Sequence, residues 1–197
     1  LSANAMATTK VLGTTTPNFI GDGRMPQAQL FEAVSAGLGE GWQKDTVYDY
    51  PDDASLAIKA WRTRQTGPAL WILSGVHGEE SAGPNAIARN IAVIAGLADA
   101  GIPMVLIPIS NPKGYRNNWR YPNTAERDWK SGGGYSVGDS EYLLPDLESG
   151  TKPRAVRIAG PETLALTSYV LTHAQGYPPA LVLDLHEDEL SVDGGYI

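Results

Sequence analysis

Three short runs of apolar residues constrain the fold of this chain more than any other feature. They are Leu70–Leu73, Met104–Ile109 and Ala180–Leu185. Runs of this kind are typical of strands that are buried on both faces of a parallel sheet. Helical segments lie between them, and the order strand, helix, strand, long loop, helix, strand indicates an α/β fold. We therefore predict a mixed, largely parallel sheet flanked by helices on both faces.

Further elements are predicted from periodicity and composition. Three segments have the pattern of helices: Gln27–Leu38, Pro84–Leu97 and Pro161–Ala174. Thr46–Tyr50 and Leu56–Trp61 alternate as half-buried strands do, and a turn at residues 51–53 joins them. Residues 111–153 change to Gly, Pro, Asn, Tyr and Trp without clear periodicity, which is typical of a functional or mobile loop.

The composition narrows the classes of function. Acidic residues outnumber basic ones by 22 to 15, the formal charge is −7, and no dense Lys/Arg cluster is present. A phosphate-binding surface needs such a cluster, so we expect no nucleic-acid partner. The chain has no cysteine, and any metal must therefore be held by His, Asp or Glu.

No segment of the sequence predicts a membrane partner. The longest apolar stretch, Ile91–Ile109, is interrupted by Asp99, Gly101 and Pro103, so it indicates helix, turn and strand. The N-terminus has no basic region followed by an apolar one. A cytoplasmic location is therefore the default expectation, although a signal peptide already removed would leave no trace.

Candidate functional residues follow the ends of the predicted buried strands. His77 comes after the first apolar run, Asn111 follows the second, and His186 ends the third. In α/β sheets, ligands gather at the carboxyl ends of the strands. These three residues are therefore expected where a functional site should lie.

Two histidines and one glutamate form the predicted metal site. His77 and Glu80 are three residues apart in the run Gly75–Glu80, and His186 is the second imidazole. Two imidazoles and a carboxylate are the ligands of a catalytic zinc that keeps a fourth position open. The alternative is a solvent-facing His77 and a Glu80 favoured by the dipole of a helix N-terminus. Their positions after buried strands favour one Zn²⁺ ion held by His77, Glu80 and His186.

The ordered motifs resemble the zinc carboxypeptidase (M14) family over roughly residues 45 to 197. The motifs that carry the resemblance are Gly75-Val76-His77-Gly78-Glu79-Glu80, Asn111-Pro112-Lys113-Gly114 with Trp119-Arg120, Ala125-Glu126-Arg127-Asp128-Trp129 and Asp184-Leu185-His186. The aspartoacylase and succinylglutamate desuccinylase branch shares the same scaffold. The resemblance implies the same three zinc ligands.

The resemblance also implies roles for two arginines. Arg120 would match the arginine that stabilises the oxyanion of the transition state, where a fixed cation favours developing charge. Arg127 would match the arginine that binds the terminal carboxylate of the substrate through a bidentate guanidinium. The alternative for both is a surface arginine in a polar loop.

The sequence departs from the family pattern at one position expected to lie near the substrate. The usual Asn before the carboxylate-binding arginine is Glu126 here. A carboxylate at this place would repel a substrate carboxylate unless Glu126 pairs with Arg127 or meets an ammonium group. The departure leaves room for a substrate with an amine near the scissile bond, such as a diaminopimelate-containing cell-wall peptide.

The general base of the family has no counterpart in this sequence. The family places a Glu on a strand well beyond its third ligand, where it serves as general base and acid. The sequence ends at Ile197. Glu187, Asp188 and Glu189 lie close to His186 and could orient a ligand or bind substrate. Adjacent residues at a strand end point in alternating directions, so we do not expect any one of them to be the base.

The domain organisation is expected to be simple. The length of 197 residues and the 42% hydrophobic content suit one domain with a sizeable core. We expect residues 6–197 to form one α/β metallohydrolase-like domain, incomplete at its C-terminus because no capping helix follows the last predicted strand. Residues 1–5, ahead of Met6, are expected to be a remnant of the expression vector.

The predicted function is that of a zinc-dependent, metallocarboxypeptidase-like hydrolase that cleaves a peptide or amide bond near a substrate carboxylate. One alternative is a deacylase of N-acyl amino acids of the aspartoacylase or succinylglutamate desuccinylase type. The other is a non-catalytic protein that binds metal or carboxylate, which the missing Glu supports. The expected partner is a small peptide or acyl-amino-acid substrate, and the oligomeric state is left open.

Overall fold

The computed structural model describes residues 23–125 and 160–187, which form a five-stranded sheet between helices. In chain order the elements are α1 (Gln27–Leu38), β1 (Trp42–Asp49), β2 (Ala57–Thr63), β3 (Ala69–Ser74), α2 (Ala82–Arg89), α3 (Ile91–Asp99), β4 (Met104–Ile107), α4 (Pro112–Asn117), α5 (Pro161–His173) and β5 (Pro179–Leu185). None of the helices in these two ranges has the length and apolar character needed to cross a bilayer.

The strand pairing confirms a mixed sheet. Its order is β1-β2-β4-β3-β5. β3 pairs in parallel with β4 on one side and with β5 on the other, whereas β2 pairs antiparallel with both β1 and β4. Leu73 lies opposite both Ile107 and Asp184. The carboxyl ends of β3, β4 and β5 therefore meet at one edge of the sheet.

Helices cover both faces of the sheet, as predicted. One apolar cluster joins α1, α2 and α3 to the face that carries Ile72 and Leu106. A second cluster joins α5 to the opposite face, where Trp71 and Val105 point. Successive strand residues alternate between the two clusters, and this explains why β3 and β4 read as continuous apolar runs.

Two strands differ from their predicted burial. β2 was expected to be half-buried, but most of its residues are buried because it lies between β1 and β4. The prediction of a buried β5 is wrong for the described residues: Leu181, Val182 and Leu183 are 56%, 52% and 39% exposed. β5 pairs with β3 alone and lies at the edge of the described sheet, so its apolar side chains are less covered.

The helix boundaries are confirmed in part. α1 has the predicted bounds, and α5 ends one residue earlier than expected. The single helix predicted at Pro84–Leu97 is instead two helices separated at Asn90. The Asn90 side chain donates to the carbonyl of Ala86 at 2.8 Å, a local hydrogen bond that competes with helix continuation. A short helix, α4, also lies within the segment predicted as a loop.

A polar cluster fastens α5 to the first hairpin. The guanidinium of Arg62 on β2 donates to Asp45 on β1, with 2.7 Å between Nε and Oδ2. The hydroxyl of Tyr169 on α5 donates to the same oxygen at 2.7 Å. Burial raises the pKa of Asp45, but the hydrogen bonds from Arg62 and Tyr169 and the charge of Arg62 outweigh it and leave that pKa below its ordinary value.

Replacing Asp45 should destabilise the fold in a pH-dependent way. A carboxyl whose pKa is lowered on folding contributes stability above its unfolded pKa, and this contribution is lost as the pH falls through the folded value. We expect Asp45→Asn to lower the free energy of unfolding by about 1 kcal/mol near neutral pH, because the pair is partly exposed. The difference from wild type should shrink as the pH falls through the folded pKa of Asp45, which lies below the ordinary pKa of an aspartate. Urea unfolding at several pH values measures this.

Asp49→Asn is the matched control, since Asp49 is exposed on the same strand. Its free energy of unfolding should stay within about 0.5 kcal/mol of wild type. An Asp45→Asn effect that is the same at every pH would contradict the assigned role of the carboxylate.

Candidate metal centre

The carboxyl edge of the sheet brings His77, Glu80 and His186 together. The Glu80 carboxylate lies between the two imidazoles: its Oε1 is 2.7 Å from Nδ1 of His77, and its Oε2 is 2.8 Å from Nδ1 of His186. The two rings are 5.0 Å apart between centroids. One ligand atom from each of the three residues lies within 4.8 Å of the others. Residues separated by more than 100 positions therefore meet at one point.

The three candidate ligands differ in their exposure to solvent. The exposed fraction of the side chain is 10% for Glu80, 17% for His77 and 40% for His186. Burial raises the pKa of Glu80, but the hydrogen bond and charge of His77, the backbone N–H of Glu187 and the hydrogen bond of His186 outweigh it. The pKa of Glu80 therefore lies below its ordinary value, and the carboxylate is ionised.

Two glycines allow the loop that carries His77 and Glu80 to leave the sheet. Gly75, directly after β3, has φ of 62°, a left-handed conformation that glycine adopts at low cost. At Gly78 an added Cβ would overlap the backbone of Gly114 and Tyr115. The loop between β3 and α2 therefore packs directly on α4, which lies within the second loop, the segment of residues 108–120 after β4.

Asn111 organises the second loop. Its Oδ1 accepts from the backbone N–H of Gly114 at 2.8 Å and caps α4, while its Nδ2 donates to the carbonyl of Arg120 at 3.1 Å. The backbone N–H of Gly78 donates to the same carbonyl at 3.4 Å. These contacts explain why an Asn-Pro-x-Gly sequence follows β4: it fixes the backbone of Arg120 against the first loop.

The Arg120 guanidinium lies beside the carboxylates. Its Nη1 donates to Oε1 of Glu79 at 2.9 Å and to Oε1 of Glu80 at 3.3 Å. Burial lowers the pKa of Arg120, but the hydrogen bond and charge of Glu79 and the charge of Glu80 outweigh it and raise that pKa above its ordinary value. A permanent cation is thus held at the rim of the centre.

Asp184 orients His186 from behind. Its Oδ2 is 3.0 Å from Nε2 of His186, the nitrogen that does not face Glu80. Burial lowers the pKa of His186, but the hydrogen bond and charge of Asp184, followed by those of Glu80, outweigh it and raise that pKa above its ordinary value. A carboxylate that holds the outer nitrogen of a histidine is the usual support for a metal ligand.

The Glu187 carboxylate holds the start of α2. Its Oε2 accepts from the backbone N–H of Ala82 at 3.0 Å, and its own backbone N–H donates to Oε2 of Glu80 at 3.2 Å. Both contacts suit the expectation that an acidic residue after His186 orients a ligand. Asp188 and Glu189, the other two residues of that acidic cluster, lie outside the described residues.

Four of the sequence-predicted site residues come together in the described part of the chain. His77, Glu80, His186 and Arg120 meet at the centre. Glu126 and Arg127 lie outside the described residues, so their predicted substrate-binding roles stay predictions.

The sequence prediction missed three residues at the centre. Asp184 could have been found, because it lies two residues before His186 on a strand and therefore on the same side. Glu79 was visible only as a neighbour of Glu80. Arg24, which donates to the carbonyl of Gly78 at 3.3 Å, lies far away along the chain and had no sequence signal.

The three side chains suit a divalent metal ion. Nitrogen from imidazole and oxygen from carboxylate are the ligands such ions take in the absence of thiolate. The two Nδ1 atoms already face the two oxygens of one carboxylate, and Asp184 supports one of the rings. The donor set and its outer support therefore fit the metal that the motifs predict.

Solved structures share this fold. A candidate metallopeptidase of Shewanella baltica matches with a TM-score of 0.60 and 20% identity, over 83% of this chain and 55% of its own. A candidate metallopeptidase of Shewanella denitrificans matches with a TM-score of 0.54 and 25% identity, over 83% and 52%. A metallo-carboxypeptidase of Burkholderia cenocepacia matches with a TM-score of 0.56 and 17% identity, over 84% and 42%. No protein-family model matches the sequence, and a comparison with curated proteins finds no match.

These similarities define the class of the fold. The described residues have the α/β fold of metallo-carboxypeptidases, with a His-Glu-His cluster at the carboxyl edge of the sheet. The resemblance to the zinc carboxypeptidase (M14) family is thus confirmed at the level of the fold. The chain spans about half the length of the two Shewanella proteins, at 55% and 52% of theirs.

Gly78→Ala should damage the centre without touching a ligand. The added Cβ would overlap the backbone of Gly114 and Tyr115, so the two loops must separate. We expect a loss of about 2 kcal/mol or more in the free energy of unfolding and weaker zinc binding. Thermal unfolding and zinc titration measure the two effects.

Gly41→Ala is the control, because nothing lies within 4 Å of a Cβ added there and its φ is not positive. This variant should bind zinc as the wild type does. Equal zinc binding by Gly78→Ala would show that the close approach of the loops is not required.

Asp184→Ala should weaken metal binding. Without the carboxylate the ring of His186 loses the partner of its Nε2, and the affinity for zinc should fall by about 10- to 100-fold. Asp184→Asn keeps an acceptor but not the charge and should give an intermediate loss. Competition with a chromophoric chelator measures the dissociation constants, and unchanged affinity in Asp184→Ala would rule out this support.

Proposed function

We propose that this chain belongs to a zinc-dependent, metallocarboxypeptidase-like hydrolase that cleaves a peptide or amide bond near a substrate carboxylate. One observation carries the proposal. Two imidazoles converge on the carboxylate of Glu80 at 2.7 and 2.8 Å, with the Arg120 guanidinium at 3.3 Å from the same group. Metal-assisted hydrolysis requires a set of metal ligands and a fixed cation close together, and both lie at the carboxyl ends of the strands.

Zinc is the proposed ion, held by His77, Glu80 and His186. When bound, it would supply Lewis-acid polarisation of the scissile carbonyl and activation of water. With the proton on Nε2, His186 donates a hydrogen bond to the carboxylate of Asp184, and this tautomer leaves Nδ1 of that ring as the ligand atom. Because the ligand nitrogens must be deprotonated, metal binding should release protons.

Arg120 is proposed to stabilise the oxyanion of the transition state. Its guanidinium is held by Glu79 at 2.9 Å, so it would keep its place when Glu80 turns to the metal. A cation placed before the reaction favours charge that develops only in the transition state. Arg127 is proposed to bind the substrate carboxylate, and Glu126 to pair with Arg127 or with a substrate ammonium group.

A second function has one observation in its favour. Within residues 23–125 and 160–187, each carboxylate next to the centre already supports another group: Glu79 holds Arg120, Asp184 holds His186, and Glu187 holds the start of α2. None of these three is placed as a general base. A protein that binds metal or carboxylate without catalysis is therefore the alternative, and catalysis requires a Glu from outside these ranges.

His77→Ala should abolish zinc binding. The wild type should carry about one zinc ion per chain, and removal of one of three ligands leaves a site too weak to retain it. His173→Ala is the control, since His173 lies on α5 with its ring 4.2 Å from that of Tyr169. It should retain the metal. Metal analysis after dialysis gives the stoichiometry, and zinc retained by His77→Ala would refute the site.

A substrate panel separates the functions that the same metal site can serve. The full-length protein should cleave C-terminal or γ-glutamyl peptides in a chelator-sensitive manner. Cleavage of N-acyl amino acids alone would assign the deacylase. Bound zinc with no cleavage across the panel would favour the binding protein.

A further inference from the structure

We infer that Arg24 is a positioning residue for the metal centre: its guanidinium fastens the loop that carries His77 and Glu80 to the loop that carries Arg120. The inference rests on the proposed function, because it concerns the same site. Within residues 23–125 and 160–187, Arg24 contacts the backbone of the loop that carries His77 and Glu80, not the side chains of the three predicted ligands. Its effect is exerted through the backbone.

One guanidinium joins four acceptors on two loops. Nη1 of Arg24 donates to the carbonyl of Gly78 at 3.3 Å and to the carbonyl of Tyr115. Nη2 donates to the carbonyl of Glu79 at 3.4 Å and to Oδ1 of Asn118 at 2.7 Å. The guanidinium carbon also lies 5.1 Å from the centroid of the Tyr115 ring, within the range of a cation–π contact.

The two carbonyls on the first loop belong to the residues between the ligands. His77 and Glu80 are separated only by Gly78 and Glu79, and Arg24 binds the carbonyls of both. The orientation of these peptide planes sets the directions in which the flanking side chains leave the backbone. Binding sites lose function when ligands shift by about 0.5 Å, so a contact that holds these planes matters for metal affinity.

Arg24 is itself firmly anchored. The backbone N–H of Met25 donates to Oδ1 of Asn85 at 2.9 Å, and Nδ2 of Asn85 donates to the carbonyl of Gly23 at 3.0 Å. The hydroxyl of Tyr115 donates to the carbonyl of Met25 at 2.8 Å. Asn85 is buried on α2, the helix that follows the ligand loop. Hydrogen bonds therefore hold the segment 23–25 both to α2, next to the first loop, and to Tyr115 on the second loop.

The geometry requires arginine rather than a generic cation. A guanidinium presents several donors in a fixed plane and can serve four acceptors at once, whereas the ammonium of lysine is a point charge with three donors. Lysine at this position would keep the charge but leave acceptors on one of the two loops without their donor. A comparison of arginine with lysine at this position therefore distinguishes positioning by the planar guanidinium from an effect of positive charge alone.

The test measures zinc affinity apart from stability. The full chain is prepared as wild type, Arg24→Met and Arg24→Lys, with Arg64→Met as the matched control. Arg64 also donates to a backbone carbonyl, that of Glu40 at 3.2 Å, but it is exposed and lies outside the centre. Zinc dissociation constants come from competition with a chromophoric chelator at a temperature where every metal-free variant is folded. Thermal unfolding with and without zinc is measured in parallel.

We expect Arg24→Met to weaken zinc binding about 10-fold or more, as the loss of groups that hold metal ligands typically does. Arg24→Lys should fail to restore the affinity, and Arg64→Met should bind as wild type. The zinc-induced rise in the unfolding temperature should be smaller in both Arg24 variants. If Arg24→Met does not fold, Asn118→Gly removes one acceptor while it keeps the left-handed backbone at φ 55°, and it should weaken binding several-fold.

Two results overturn the inference, and they are distinguishable. Wild-type zinc affinity in Arg24→Met and in Asn118→Gly, even with a lower unfolding temperature, would assign Arg24 a purely structural role. Full recovery in Arg24→Lys would replace positioning by a charge effect. Failure of the wild type itself to bind zinc would instead refute the proposed function and the centre as a whole.

Discussion

The parallel pairing of β3 with both of its neighbours is the constraint on which the rest of the structure depends. Ser74 lies opposite Leu185, and Leu73 lies opposite Ile107, so three strands end at the same edge. The residues that follow these strands must therefore meet, whatever their separation along the chain. Apolar clusters on both faces hold the sheet in place. The candidate ligands thus start from rigid strand ends, as a precise site requires.

A second set of contacts, made by the backbone, fixes how the residues of the site are oriented relative to one another. Gly78 packs on Gly114 with no room for a side chain, and the carbonyl of Arg120 accepts from both Gly78 and Asn111. Gly78, Gly114 and Asn111 have no role in the proposed chemistry. They decide, however, that the guanidinium of Arg120 lies next to the carboxylates rather than in solvent. Hydrogen bonds to the main chain therefore support the site in addition to the side-chain contacts, and they depend on the close approach of two loops.

Local sequence patterns predicted the helices and strands whose formation depends mainly on residues close together in the chain. The helical spacing at Gln27–Leu38 gave the observed bounds of α1, and the apolar runs located β3 and β4. The predictions were wrong for features that depend on the surroundings of an element in the folded chain. The side chains of β5 are exposed because the strand lies at the edge of the described sheet, and composition alone does not indicate the position of a strand in a sheet. The break between α2 and α3 coincides with one side chain, that of Asn90, which donates to the backbone carbonyl of Ala86.

The sequence by itself determined the class of fold and the candidate ligands. Apolar runs followed by His77 and His186 predict strand ends that carry imidazoles, because buried strands can be recognised from runs of apolar residues. Only the tertiary structure decided which groups support them. The ion pair of Glu79 with Arg120 and the contacts of Arg24 depend on distances between groups that lie far apart in the sequence. A hydrogen bond forms over about 3 Å, and no pattern along the chain specifies separations at that scale between residues so far apart in sequence.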